Sequence, residues 1–331
     1  MSPYDKGEMV LQRRKFLKVA TGSVVGTGLG LQLPLDSQAA VHEIDLRDRE
    51  IPKRQLGQTG EMVTIIGLGG AHISMGPASK DESMALHIVH RAIEHGINFF
   101  DNAHSYGDGR SEILMGRALK GHREKIFLMS KSDKRSAKAA QAELDLSLKR
   151  LSTDYLDLWQ FHNVTSVENT EQIFFKDGAM EVALKAKESG KIRYIGVTGH
   201  RDPAAHLRAI ELYDFDTVQM PLNVVDRHYL SFEKQVLGKL VEKDIGVLAM
   251  KSLAMGEIAK QKVFKVEDAL RYVWSLPVSV LISGCDSPEV LDQNVASSKI
   301  FQPVSVDERV DILDRTEVHK GTGVERYKRD I

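Results

Sequence analysis

From about residue 51 the chain switches repeatedly between two hydrophobic periods, and this alternation restricts the fold more than any other feature. Short β-rich runs occupy 62–68, 97–101, 126–130, 155–161, 192–197, 217–219, 246–250 and 278–282. Between them the apolar residues fall at helical spacing. In 82–95, for example, Ala85, Ile88, Val89, Ala92 and Ile93 share one face. Further helices are expected at 136–151, 177–189, 203–212, 232–243, 266–274 and 288–296. His95-Gly96 and Ser189-Gly190 read as helix C-caps. Asp202-Pro203 and Ser287-Pro288 read as N-caps with a first-turn proline. Segments 53–58 and 59–63, turning at Gly57 to Gly60, predict a small hairpin ahead of the first strand.

About eight nearly continuous apolar strands alternating with helices predict an α/β protein with a parallel sheet covered on both faces. The span suits a closed (β/α)8 TIM barrel in a single domain, about 250 residues in size. A doubly wound open sheet competes, but it would want G-x-G-x-x-G after its first strand. Ile66-Gly67-Leu68-Gly69-Gly70 does not supply that pattern. We divide the chain into a segment at 1–40, a barrel at 51–315 and a C-terminal tail at 316–331. From Asp311 to Ile331, Arg315, Lys320, Arg326, Lys328 and Arg329 alternate with Asp314, Glu317, Glu325 and Asp330, so this stretch reads as a solvated helix or a loose end. Its shortness after Phe301 predicts little lid.

The first forty residues differ from the rest. Gln12-Arg13-Arg14-Lys15-Phe16-Leu17-Lys18 precedes an apolar stretch diluted with Gly22, Gly26, Gly28 and Gly30. Pro34 and Ser37-Gln38-Ala39-Ala40 come next. This is the layout of a secretory signal, and the paired arginines resemble a twin-arginine signal read by the export machinery. The competing reading is an anchor, but the run is short of the ~20 apolar residues a spanning helix needs. We expect an exported, periplasmic or extracytoplasmic protein with no membrane span after cleavage. A net charge of −1 gives no reason to expect nucleic acid. The single cysteine, Cys285, cannot form an intrachain disulfide and reads as a small buried filler.

A barrel of this kind carries its site at the C-terminal ends of the strands. There the predicted second strand ends in Asp101, with Tyr106 shortly after. The third ends in Ser130-Lys131 and the fourth in Phe161-His162. A free phenol has a pKa near ~10 and donates slowly at neutral pH. An ammonium at ~4 Å, with an effective dielectric of ~20, interacts with a phenolate by about 4 kcal/mol before desolvation. We therefore expect Lys131 to lower the pKa of Tyr106. A carboxylate keeps the amine charged, and an imidazole can orient a carbonyl oxygen. The set suits carbonyl polarisation, and the hydride must come from a nicotinamide or flavin. Any one of these residues alone is more often a cap or a satisfied partner; the combination carries the reading.

Asp101-Asn102-Ala103-His104-Ser105-Tyr106-Gly107-Asp108-Gly109-Arg110-Ser111-Glu112, with Gly116 following, resembles the first signature of the aldo-keto reductase family. Leu158-Trp159-Gln160-Phe161-His162 resembles the second, and the similarity runs from about residue 51 to 300. The resemblance implies a barrel using NADP or NAD without a Rossmann domain, acting on a small carbonyl or alcohol. It makes Tyr106 the general acid, tuned by Lys131 and Asp101, with His162 positioning the carbonyl. It also implies cofactor contacts at Thr198, Gln219, Leu222, Lys251, Ser252, Gly284, Gln293 and Asn294, and no metal. There are departures. Thr198-Gly199 stands where the family has Ser-Asn, Leu222 where many members have a stacking tyrosine, and Val290 where NADP-preferring members often have arginine.

Two other functions compete. One is a cofactor-sensing regulatory subunit with little turnover, which the departures allow and the complete catalytic set opposes. The other is a metal-dependent hydrolase, for which no paired-histidine ligand motif stands at a strand end. His87, His90 and His95 share one helix and read as exposed or capping residues. Candidate substrate loops are 72–78, His104, 163–175 and 223–230.

Overall fold

The computed structural model of the protein describes residues 49–321 and 323–328. The signal expected at 1–40 lies outside the described residues, as does the very end of the tail. Among the described residues no helix is long and apolar enough to cross a membrane.

Strands β1 (Lys53–Gln55) and β2 (Met62–Thr64) form the expected hairpin, paired Lys53 to Thr64 and Gln55 to Met62. The expected first strand is therefore two pieces. The chain breaks at Ile65, and the barrel begins at β3 (Ile66–Gly69). The remaining strands are β4 (Phe99–Asp101), β5 (Phe127–Ser132), β6 (Leu156–Phe161), β7 (Ile192–Thr198), β8 (Thr217–Pro221), β9 (Gly246–Met250) and β10 (Val280–Ser283). Each pairs in parallel with the next, and β10 pairs with both β9 and β3, closing the barrel.

Alternation along the strands sorts the core into two layers. Leu56, Val63, Phe99, Phe127, Met129, Leu158, Leu248, Val280 and Ile282 fill the lumen. Residues one step along, such as Phe100, Leu128 and Trp159, pack outward against the helices. The period of two carries this sorting on to the strand ends. If Phe99 points inward, so does Asp101; if Phe127 and Met129 do, so does Lys131. The hairpin closes the opposite end, where Leu56 is buried and Arg54 donates to the carbonyls of Val278 and Trp274, each at 2.7 Å.

Most helices lie where the apolar spacing puts them, among them Glu82–Glu94, Ala137–Leu151, Pro203–Leu212 and Val266–Trp274. Asp202 and Ser287 cap their helices through side-chain oxygens, as expected. The helix expected at 232–243 instead opens with a π turn, Glu233–Leu237. The helix Arg110–Ala118 was not anticipated, because its apolar face is interrupted by Ser111, Glu112 and Gly116, all buried.

The tail departs most from expectation. Val306–Thr316 is a helix with a Ser305–Glu308 capping box. Beyond it the chain returns, and a turn at Arg326–Lys328 buries Tyr327 and Lys328. It is neither loose nor merely solvated, because Lys328 finds partners on the barrel that no local pattern announces.

Candidate active site

The mouth brings Asp101, Tyr106, Lys131 and His162 together. Asp101 ends β4 opposite Met129 on β5, and Lys131 lies opposite Gln160 on β6. An ammonium has three donors, and Lys131 spends all of them. One goes to Asp101 Oδ1, one to the carbonyl of Asn102 at 2.7 Å, and one to the Tyr106 hydroxyl at 3.3 Å. The other carboxylate oxygen of Asp101 accepts from Gln219 Nε2 at 3.2 Å. Lys131 is 1% exposed. Burial alone would strip its charge, but Asp101 and Tyr106 more than offset this and its pKa ends above the usual lysine value.

The expectation for Tyr106 needs correction. Burial raises its pKa, and Lys131 offsets only part of that rise. Desolvation of the phenolate outweighs one ammonium at 3.3 Å. The phenol therefore rests protonated, the state a general acid requires.

The loop holding Tyr106 is a compact turn, Tyr106–Gly109, in which residues 107–109 are all left-handed and two of the three are glycine. Gly107 and Gly109 have φ of 56° and 88°, and a side chain at 109 would run into the Arg150 guanidinium. Arg150 bonds the carbonyls of His104 and Asp108 and pairs with Glu112 at 3.3 Å. Glu112 is buried and accepts from Ser130 Oγ at 2.6 Å. His104 lies within this scaffold, 3.3 Å from Arg150 through Nδ1 and 3.8 Å from Glu143 through Nε2.

His162 presents its ring edge-on to Tyr106, with centroids 5.8 Å apart. Burial lowers its pKa, so the imidazole is neutral at neutral pH. Asp133, which sequence reasoning missed, stands 3.0 Å from His162 Nδ1. Burial pushes the Asp133 carboxyl up, but His162, Ser105 and Arg135 win and hold it at about 2. Its only sequence signal was an acid two residues beyond the strand-end lysine.

The cofactor residues divide into two groups. Thr198 ends β7 opposite Gln219 on β8, and both are buried. The Thr198-Gly199 departure has a physical cause: a Cβ at 199 would lie 2.3 Å from the carbonyl of Val164, so nothing larger than glycine fits. Gln219 Oε1 is buried without a partner, which fits the N–H of a carboxamide. Leu222 is fully buried and Ser252 nearly so. Lys251 has φ of 54° and no carboxylate partner among the described residues, and burial lowers its pKa to about 8. A desolvated cation of that kind fits a phosphate. A Cβ at Gly284 would strike His72, so that imidazole packs directly on the eighth-strand loop. Asn294 is committed to the barrel, donating to Ser283 Oγ at 3.0 Å. Gln293 instead faces outward and lines a cavity of about 470 Å³ with Phe264, Lys262, Lys265 and Arg315. These donors fit a nicotinamide dinucleotide. His95 is bonded to Asp292 at 2.7 Å, while His87 and His90 are exposed.

A closed parallel barrel whose mouth gathers phenol, ammonium, carboxylate and imidazole falls in the class of nicotinamide-dependent oxidoreductase barrels. The model of the Aldo/keto reductase family matches residues 65–268. L-galactose dehydrogenase of Arabidopsis thaliana is 29% identical over 231 residues, 64% of this chain and 68% of that protein. Aldo-keto reductase AKR11C1 from Bacillus halodurans (holo form) superposes with a TM-score of 0.71 at 23% identity, covering 83% of this chain and all of that one. An aldo/keto reductase from Klebsiella pneumoniae, solved with NADP and acetate, gives a TM-score of 0.63 at 24% identity, covering 79% and 94%. The chain belongs to the aldo/keto reductase family and is an NAD(P)-dependent oxidoreductase.

Proposed function

We propose that the protein interconverts a small carbonyl and its alcohol, with Tyr106 as the proton donor in reduction and acceptor in oxidation. The observation that carries this is the Tyr106 hydroxyl 3.3 Å from an ammonium that Asp101 holds charged and fixed. When bound, the nicotinamide supplies or accepts the hydride. Tyr106 gives its proton to the substrate oxygen, and Lys131 stabilises the phenolate that remains. Asp101 keeps Lys131 charged and aimed, and His162 orients the substrate oxygen beside the phenol. Gln219 and Thr198 hold the carboxamide, with Leu222 packing near the ring. Lys251 and Ser252 meet the pyrophosphate, Gly284 leaves room for the His72 imidazole, and Gln293 and Asn294 border the adenosine end. Beside Gln293 the cavity carries Lys262 and Lys265 against Glu267, with Arg315 paired to Asp311, a positive balance where Val290 supplies none, and this favours NADP over NAD.

The test is aldehyde-dependent oxidation of NADPH or NADH by the wild-type protein, tracked by loss of the reduced nicotinamide's absorbance. Steady turnover supports the enzyme. Cofactor binding without turnover on any aldehyde, ketone or sugar of a broad panel would hand the protein to the sensor reading.

The N-terminal arginine pair supports export to the periplasm by the twin-arginine machinery. Replacing Arg13 and Arg14 by lysine should leave the protein in the cytoplasm, with a mass that retains residues 1–40. Export of that variant at the wild-type level would refute the assignment.

A further inference from the structure

The cofactor side of the mouth is completed from an unexpected place, the end of the chain. Lys328 is fully buried and spends all three N–H donors: on Asp226 Oδ1 at 2.7 Å, Glu325 Oε2 at 2.9 Å and the carbonyl of Tyr229 at 2.8 Å. Asp226 stands in the turn after β8. It also accepts from Ser231 Oγ and the Glu233 amide, each at 2.9 Å. The anchor is thus built into the barrel's own loop.

The anchor fixes Tyr327. Its hydroxyl donates to Glu325 Oε1 at 2.7 Å and accepts from Asn223 Nδ2 at 2.9 Å. Asn223 adjoins Leu222. The Tyr327 ring centroid lies 5.1 Å from Lys251 Nζ and 6.1 Å from the His200 ring. His200 is two residues beyond Thr198. One ring from the tail therefore touches the segments just past β7, β8 and β9, the three that carry Thr198, Leu222 and Lys251.

We propose that residues 324–328 form a clasp on the dinucleotide site, with Tyr327 as a wall of the pocket beside Lys251 and Lys328 as the bolt that holds it. The proposal rests on the dinucleotide reading above. It assigns Tyr327, Asn223 and His200 to cofactor retention, a role separate from the chemistry at Tyr106. A wall that shares three strand-end segments slows departure of whatever lies among them. Charged anchoring groups regain water when the clasp lifts, which keeps opening within reach. Lys251 couples the two parts: its ammonium faces the Tyr327 ring and has no carboxylate partner among the described residues.

The test is stopped-flow release of NADPH from the full-length protein, chased with excess NADP and read by NADPH fluorescence. Lys328→Met and Tyr327→Ala should each release NADPH at least tenfold faster, with the association rate changed less than threefold. Tyr327→Phe keeps the ring beside Lys251 and should stay within about threefold of wild type. Lys328→Met leaves two carboxylates unpaired and can fail to fold, so Tyr327→Ala carries the test if it does. Folded Tyr327→Ala releasing NADPH at the wild-type rate overturns the clasp. Equal acceleration by Tyr327→Phe and Tyr327→Ala also overturns it, because the ring would then contribute nothing. A wild-type protein that binds neither NADPH nor NADH is a different result: it removes the dinucleotide reading itself.

Discussion

The two sides of the barrel mouth are built on different principles. On the side of β4 to β6, Asp101, Lys131 and His162 are placed by strand alternation, and Tyr106 by a tight turn five residues beyond Asp101. On the side of β7 to β9, Asn223 and Lys251 take their surroundings from Tyr327, more than a hundred positions after Asn223. The first side is local geometry repeated strand by strand. The second depends on the chain coming back. We read the first as the place where the proton moves and the second as the place where the cofactor is held, and each can be disturbed separately.

Lys131→Met disturbs the first side most. It removes the donor to Tyr106 and leaves Asp101 unpaired, so kcat should fall about 10³-fold. Fluorescence titration should show NADPH affinity falling far less. Similar losses in both would merge the two sides into one.

Asp226→Leu strikes the second side by taking one of its two carboxylates from the buried Lys328 ammonium. Removing one partner of a buried ion pair costs about 3 kcal/mol. Urea unfolding should show the loss, and a change under about 0.5 kcal/mol would mean the tail is held by packing alone.

Acid should act on the histidines packed on the second side. Burial lowers the pKa of His206 to about 4 and of His200 to about 3, both below the ordinary histidine value. The unfolded chain takes up protons there before the folded one does. Their contribution is therefore fully present above about pH 6.5 and is lost as pH falls towards 4. For His206 alone this amounts to about 3 kcal/mol. Burial raises the Asp226 carboxyl to about 6, which opposes this loss, so the test is a difference: from pH 7 to pH 4 the melting temperature should fall less, or rise more, in His206→Gln than in the wild type. A parallel profile for that variant would remove His206 from the account.

The smallest effect concerns Lys251. With its pKa at about 8, the ammonium that we propose meets the phosphate is lost above that pH. NADPH affinity should weaken by up to about tenfold per unit there, and Lys251→Met should bind weakly and without that dependence. Wild-type affinity that stays flat to pH 10 would place the phosphate elsewhere.

The contrast also explains what the sequence disclosed. The eight-strand alternation, the hairpin and the convergence of Asp101, Tyr106, Lys131 and His162 come from periods of 2 and 3.6 and from strand ends. The raised pKa of Tyr106 was not legible, because the balance between Lys131 and desolvation requires knowing how deeply the phenol is buried. Asp133 left a faint trace, being two residues past Lys131 and so on the same side of an extended strand. Lys328 left none. In sequence it is one of several alternating tail charges, and only closure of the chain onto Asp226 distinguishes it from Lys320, which is exposed.

The most direct test of the central claim compares Tyr106→Phe with wild type in a single turnover of preloaded NADPH against one aldehyde. The substitution removes one hydroxyl and keeps the ring that packs against His162. We predict that NADPH still binds within about threefold of wild type while the rate of its oxidation falls at least 10²-fold. Oxidation at the wild-type rate by a variant lacking that hydroxyl would show that the proton comes from another group.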